Sequence, residues 1–394
     1  MGSGKVIRIL MLSAGLMSIT SSVLWNFTSL YAQYLGFDFY DIGVFNSVGL
    51  MVSSAAVLFL SPLIDAYGRK PFAVLAAFFN VCAALLPVIS PNFMGFALSF
   101  IISNISFLLW QAARGAMVGD VAKHGELGRT FSKISLSFSA ASFVTPYIAG
   151  MMIRLYGYAF VFSLAALPSL AAAALMTLYL PETGGSKVLL LRSSLKSVLP
   201  SRREVPLIIL ATLDRFGWTL WSPILNPYIK KVYGFTDDII GALVSLRTAV
   251  EILSVYPAGK FVDRVGGAIG FLTSEVVGVL CVAFLAMRLA SPLAPVVSMV
   301  LFGLTIAFWV PSYNVLVVRT AGNRSSVAQV YGRMNFFRMS SSIPAPWIGG
   351  FMASTLFDAT PFIVGTVLLI LNTVAIYVCR NDLECKEVQV RESA

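Results

Sequence analysis

Charge is what this 394-residue chain has least of: Asp, Glu, Lys and Arg make up 12% of it, against 58% hydrophobic residues and a mean hydropathy of +0.84. An ordinary soluble domain carries about 25% charged residues, so that class is excluded. One histidine, His124, cannot build a His cluster or a Ser/His pair, and no paired carboxylates stand out, which speaks against a membrane enzyme. The four cysteines, Cys82, Cys281, Cys379 and Cys385, have no metal-ligand spacing and read as reduced or buried thiols. No metal and no cofactor are expected. A phosphate-binding Gly-x-x-x-x-Gly-Lys-Ser/Thr is also missing, which disfavours ATP-driven transport.

Long apolar runs are what the chain does have. A hydrocarbon core of about 30 Å needs about 20 apolar residues per helix, and twelve such runs fall near 7–33, 40–64, 71–89, 93–119, 131–153, 158–180, 205–229, 238–259, 268–289, 292–318, 329–354 and 359–379. The first continues to Tyr34 with no small-residue cleavage site, so it reads as a spanning helix and not as a signal peptide. The net charge of +10 is confined almost entirely to alternate loops and the two termini. Only Arg154, Lys230, Lys231 and Arg288 fall on the other side, so the positive-inside bias predicts both termini in the cytoplasm. The basic balance therefore orients the chain in a bilayer and does not indicate nucleic acid. A six-helix bundle is expected over 1–183 and a second over 205–380, with a linker at 184–204 and a cytoplasmic tail at 381–394. Val188, Leu191, Leu195 and Val198 recur on one face of the linker, predicting a short interfacial helix.

The charged turn Ser61-Pro62-Leu63-Ile64-Asp65-Ala66-Tyr67-Gly68-Arg69-Lys70 is answered by Gly259-Lys260-Phe261-Val262-Asp263-Arg264-Val265-Gly266 at an offset of 198 residues. The same offset carries Gly36-Phe37 onto Gly234-Phe235 and Ile42-Gly43 onto Ile240-Gly241, so the chain is a tandem duplication. The turn resembles the signature loop of the major facilitator superfamily, Gly-x-Leu-x-Asp-Arg-x-Gly-Arg-Lys. In the first copy Ser61 and Ala66 depart from it; in the second Gly267 and Ala268 replace the final basic pair. The resemblance spans the whole chain and implies an all-α membrane fold of twelve helices in two pseudo-symmetric bundles. It also implies a cytoplasmic gate made by Asp65, Gly68, Arg69, Asp120, Asp263, Arg264 and Gly266. In that gate Asp65 would meet the N-terminus of the eleventh helix, and Arg69 would reach Asp120.

Helix one carries Ser18, Ser22, Asn26, Ser29 and Gln33 within one wedge about 80° wide, which faces protein or water. The serines read as close-packing residues. Asn26 and Gln33 either pack or line an aqueous path. Arg114 on helix four is an intramembrane arginine, either functional or holding helices together. Five of the six tryptophans lie on the first and fourth helices of each half, which line the central cavity in the superfamily. Trp110, Trp218 and Trp309, with Asn26, Gln33, Arg114 and Asn314, are the expected substrate cavity, suited to an amphipathic ligand or a cation over a ring. Helix five, Ala141 to Gly150, and helix eleven, Ser341 to Gly350, share small residues around a proline. This resembles the superfamily's antiporter signature, with Thr145 and Ala149 where that motif has glycine.

Asp214 lies roughly 14 Å along helix seven from its inner end, and Glu251 and Arg247 lie roughly 10 Å and 16 Å along helix eight from the same side. Arg247 and Glu251 are four apart on one face. The three are expected to form a proton-coupling site or, equally, a permanent structural network. The reading as a whole is a monomeric, proton-gradient-driven exporter of small amphipathic compounds in the cell membrane. Its alternatives are uptake of a sugar-like or organic-anion solute, or a non-transporting receptor or scaffold.

Overall fold

In hydrocarbon no water satisfies a peptide group, so an apolar run must close its own hydrogen bonds, and a helix does this within one segment. The computed structural model describes residues 3–121, 127–183, 199–321 and 327–384, and it is helical almost throughout. The helices are α1 (Ser3–Tyr34), α2 (Phe39–Tyr67), α3 (Lys70–Ile89), α4 (Phe93–Val121), α5 (Leu127–Tyr156), α6 (Tyr158–Tyr179) and α7 (Val205–Trp221). They continue as α8 (Leu225–Tyr233), α9 (Asp237–Val265), α10 (Gly267–Ala286), α11 (Leu293–Ala321), α12 (Val327–Ser341), α13 (Ala345–Thr355) and α14 (Thr360–Glu384). Among the described residues nine of these helices are each long and apolar enough to cross a membrane. His124, Cys385 and the face expected over Val188 to Val198 lie outside the described residues.

Among the described residues the twelve runs become fourteen helices because two of them break at proline. The seventh passes through a 3-10 turn, Ser222–Ile224, between α7 and α8, with Pro223 and Pro227 close by. The eleventh stops at Ser341 and restarts at Ala345 after Pro344. A proline removes one intrahelical hydrogen bond and crowds the preceding turn. Pro146 does the same in α5, where the helix stays continuous. The resembling motifs thus differ in structure: two closely spaced prolines break α12 from α13, and one in α5 does not.

The chain divides into two compact units, residues 1–192 with 234–245, and residues 193–233 with 246–394. In the first, a buried amide ties three helices together: Asn80 Nδ2 of α3 donates to Ser21 Oγ of α1 at 3.0 Å and to Ser169 Oγ of α6 at 3.1 Å. Ser99 and Ser106 of α4 donate to the α3 carbonyls of Ala83 and Ala76, each at 2.7 Å. Ser18 Oγ of α1 donates to Phe138 O of α5 at 2.7 Å. Small hydroxyl residues here bring backbones together and hydrogen-bond across the seam, which apolar side chains in lipid cannot do. In the second unit, Ser274 of α10 donates to Thr305 O of α11 at 3.0 Å, and Tyr228 Oη of α8 donates to Leu285 O at 2.8 Å. Each unit has a hydrophobic core drawn from its own residues.

The duplication is visible in backbone conformation. Gly36 and Gly234 have φ of +93° and +68°, and Gly68 and Gly266 have +97° and +96°. Those are the positions the 198-residue offset pairs, and all four lie in the left-handed region that disfavours side chains.

Candidate functional site

Two clusters of polar groups stand out, one in each unit. The first surrounds the turn between α2 and α3. Gly68 lets the chain reverse, and α3 then begins with its backbone N–H groups exposed; Glu182, just after α6, accepts from Arg69 N at 2.8 Å and Lys70 N at 3.1 Å. A carboxylate on a helix N-terminus satisfies orphan donors and meets the positive end of the helix dipole. Lys70 Nζ returns the contact by donating to Thr177 O at 2.8 Å. Arg69 Nε lies 3.4 Å from Asp120 Oδ2 of α4, which also accepts from Thr183 Oγ1 at 3.1 Å. The expected Arg69–Asp120 contact is therefore joined by Glu182, a residue outside the expected gate. The side chain of Asp65 lies outside the described residues. Asp263 and Arg264 are exposed at the end of α9, with no hydrogen bond or ion pair to a described residue of their own unit.

The second cluster lines a cavity of about 240 Å³ in the second unit. Three aromatic rings form its walls: Trp218 stacks on Phe302 at 4.9 Å, and Trp309 is backed by buried Tyr313, on which it stacks at 4.7 Å. Trp309 Nε1 donates to Asp214 Oδ2 at 3.1 Å, which fixes the carboxylate at the cavity edge. Arg338 of α12 lies over the Trp309 ring at 4.6 Å and the Tyr313 ring at 5.2 Å, a cation on two π-faces. Arg215, beside Asp214 on α7, completes the charged wall. Behind it, Glu275 of α10 is 1% exposed and faces Asp214, with Asn372 of α14 beside it. Among the described residues neither carboxylate oxygen of Glu275, nor Asp214 Oδ1, nor the amide of Asn372, makes a well-formed hydrogen bond. Buried polar groups without partners are rare enough to mark a place where something else binds or a proton sits.

Several expected residues fall elsewhere. Trp110 is 2% exposed and packed into the first core with Ala113 and Met117, so it is a core residue and not a cavity wall. Asn314 is exposed on α11 and off the cavity. Asn26 turns back on its own helix, donating to Ser22 O at 2.8 Å. Gln33 is half-buried near the end of α1. Arg114 donates to Gln111 Oε1 one turn back on α4. Trp218 and Trp309 do line the cavity.

The expected network of Asp214, Arg247 and Glu251 is not formed. Asp214 has Glu275, Arg338 and Arg215 as charged neighbours, whereas Arg247 has Glu251 and lies over the Phe302 ring at 5.0 Å. Equal depth along two helices does not say which faces meet, and α7 packs on α12, α13 and α14. Arg215, the neighbour of Asp214 in sequence, is on the cavity wall. Glu275 and Arg338 were readable as ionisable residues inside apolar runs, which was the signal available for finding them.

Comparison with known proteins adds the family. The family model described as Major Facilitator Superfamily matches residues 10–205 and again 207–390, once in each half. The Bicyclomycin resistance protein homolog of Haemophilus influenzae is 24% identical over 215 residues, which cover 53% of this chain and 54% of that protein. The chain thus spans about half the length of that curated relative. Among solved structures, the nucleoside transporter NupG superposes with a TM-score of 0.75 at 15% identity over 95% of this chain and 98% of that one. The D-xylose-proton symporter does so with a TM-score of 0.72 at 14% identity over 95% and 97%.

Proposed function

The chain belongs to the Major Facilitator Superfamily and is a multi-pass membrane secondary transporter, and from that premise we propose that it is a proton-coupled exporter of small amphipathic compounds in the cell membrane. The observation that carries the proposal is the cavity of the second unit, where flat aromatic faces stand beside buried ionisable groups. Aromatic walls take up the apolar part of a solute, and a few placed charges orient its polar part. Two supports favour export: the proline-centred motif of α5, and the likeness to a protein named for bicyclomycin resistance. The cluster of Gly68, Arg69, Asp120 and Glu182, with Asp65, Asp263, Arg264 and Gly266 of the two signature turns, is the proposed cytoplasmic gate. Alternation between two accessible states is the proposed mechanism, with Asp214 as the coupling carboxylate because it alone of the expected trio meets the cavity.

Proteoliposomes test this. An imposed pH gradient should drive uptake of an amphipathic dye into vesicles by the wild type. Asp214→Asn should lose the pH-driven component and keep exchange across a membrane without a gradient. Wild-type pH-driven transport in that variant would remove Asp214 from the coupling; no movement by the wild type under any gradient would favour the receptor reading.

A further inference from the structure

The charges around the second-unit cavity do not balance where it opens. Arg215 and Arg338 both line it, and among the described residues neither guanidinium makes an ion pair or a hydrogen bond. Arg338 is held by ring faces, which leaves its N–H edges unused. Facing them is one carboxylate, Asp214, with one oxygen already engaged by Trp309. The second carboxyl, Glu275, is buried behind Asp214 and off the cavity surface. With all four ionised the group is neutral. Two carboxylates against one another with no donor between them are poorly placed to stay ionised together, and one proton shared by the pair supplies the missing donor. The wall then carries one uncompensated positive charge, and the cavity is where it can be met.

Resting on the transporter reading but not on its export direction, since a proton that tightens anion binding favours carrying both together, we propose that this cavity takes the anionic head of an aromatic solute between Arg215 and Arg338, and that a proton held between Asp214 and Glu275 sets its affinity. The head is a carboxylate, sulfonate or phosphate, since a guanidinium presents a planar fork of donors matched to such groups. The flat body lies between the Trp218–Phe302 pair and the Trp309 ring. Asn372 contributes an amide that can donate to an ionised Glu275 or accept from a protonated one. The groups facing the pair are Arg215 on α7, Trp309 and Tyr313 on α11, Arg338 on α12 and Asn372 on α14. Arg247 and Glu251 of α9 are separate from it, linked to the cavity through Phe302.

The test uses the full chain in nanodiscs, with empty nanodiscs as the blank. The probes are 2-naphthalenesulfonate, the neutral 2-naphthalenesulfonamide and a naphthyl trimethylammonium ion. The sulfonate should bind at least about tenfold more tightly than the other two, the scale of one charge-assisted contact, and Arg215→Gln or Arg338→Gln should each weaken it by about tenfold. The sulfonate stays ionised from pH 5 to 8, so any pH dependence belongs to the protein. Wild-type affinity should fall as pH rises and the pair loses its proton, whereas Glu275→Gln should keep the low-pH affinity throughout. Equal or tighter binding of the cation or the amide overturns the anion site. PH-independent binding by the wild type, or a pH dependence that survives in Glu275→Gln, overturns the shared proton. If an arginine variant does not fold, the ranking of the three probes on the wild type still decides. Binding of the sulfonate with no transport of any solute would sink the transporter reading and leave this site standing; transport of cations alone would do the reverse.

Discussion

At Gly68 one hydrogen atom in place of a side chain serves two purposes. Its φ of +97° is a conformation that costs a side chain about 1–3 kcal/mol, and a Cβ there would stand 2.6 Å from Glu182 Oε2. The carboxylate would have to leave the N-terminus of α3, exposing the donors of Arg69 and Lys70 that it now satisfies. Gly68→Ala should therefore lower the thermal midpoint in detergent by several degrees. Gly259→Ala, inside α9 ahead of the matching turn of the second half, should not, because nothing lies within 4 Å of its Cβ position. Equal midpoints for the two variants would show that the turn tolerates a side chain and that Glu182 is not held by it. This much could be read before any coordinates, since a glycine recurring at a fixed offset beside a charged turn points to a backbone requirement. Glu182 could not: it lies 112 residues from Lys70, and no local pattern connects a residue after the sixth span to the start of the third.

Between elements, a bidentate ion pair seats α12 against the start of α7. Arg333 meets buried Glu204 through two parallel bonds, Nε to Oε2 at 2.8 Å and Nη2 to Oε1 at 2.7 Å. Burial alone would push the Glu204 carboxyl up, but hydrogen bonds from Arg333 and Ser201 outweigh it and hold the group below its ordinary value. A depressed carboxyl stabilises the folded state above the unfolded pKa, near 4.3, and that contribution disappears as pH falls through the folded value. Arg333→Gln strands a buried charge and should cost about 3 kcal/mol at pH 7. Thermal melts from pH 7 down to about pH 3 should show the gap between wild type and variant narrowing below about pH 4.3, as Glu204 takes up a proton. A gap that stays constant with pH would show that Arg333 acts through packing alone. The same scale shows what the sequence could carry. Hydropathy located the apolar runs that the described helices fill, because that signal is local. Which face of α7 meets which neighbour is not local, and this is why depth alone groups Asp214 with Arg247 and Glu251 instead of with Glu275 and Arg338.

Over the whole molecule, a symmetric frame carries asymmetric chemistry. The family model fits each half in turn, and the left-handed glycines recur at the repeat offset. At that offset Asp214, Arg215 and Glu275 fall on Leu16, Met17 and Ala77, so the buried charges belong to the second half alone. The wall of the cavity is likewise drawn entirely from residues between Asp214 and Arg338, and the two hydrophobic cores share no residue. Ligand binding in that cavity should then depend little on covalent continuity between the halves. With a protease site inserted after Gly185 and cut in the nanodisc, 2-naphthalenesulfonate should bind within about twofold of the uncut protein. The bilayer keeps the two parts at high effective concentration, and no buried contact of either core is lost. Exchange of solute across a proteoliposome membrane should fall further than binding, because transport needs both halves to move in concert and binding needs one. Loss of binding in step with transport would mean that the site is completed by the first half, and the assignment of the cavity to the second unit alone would fail.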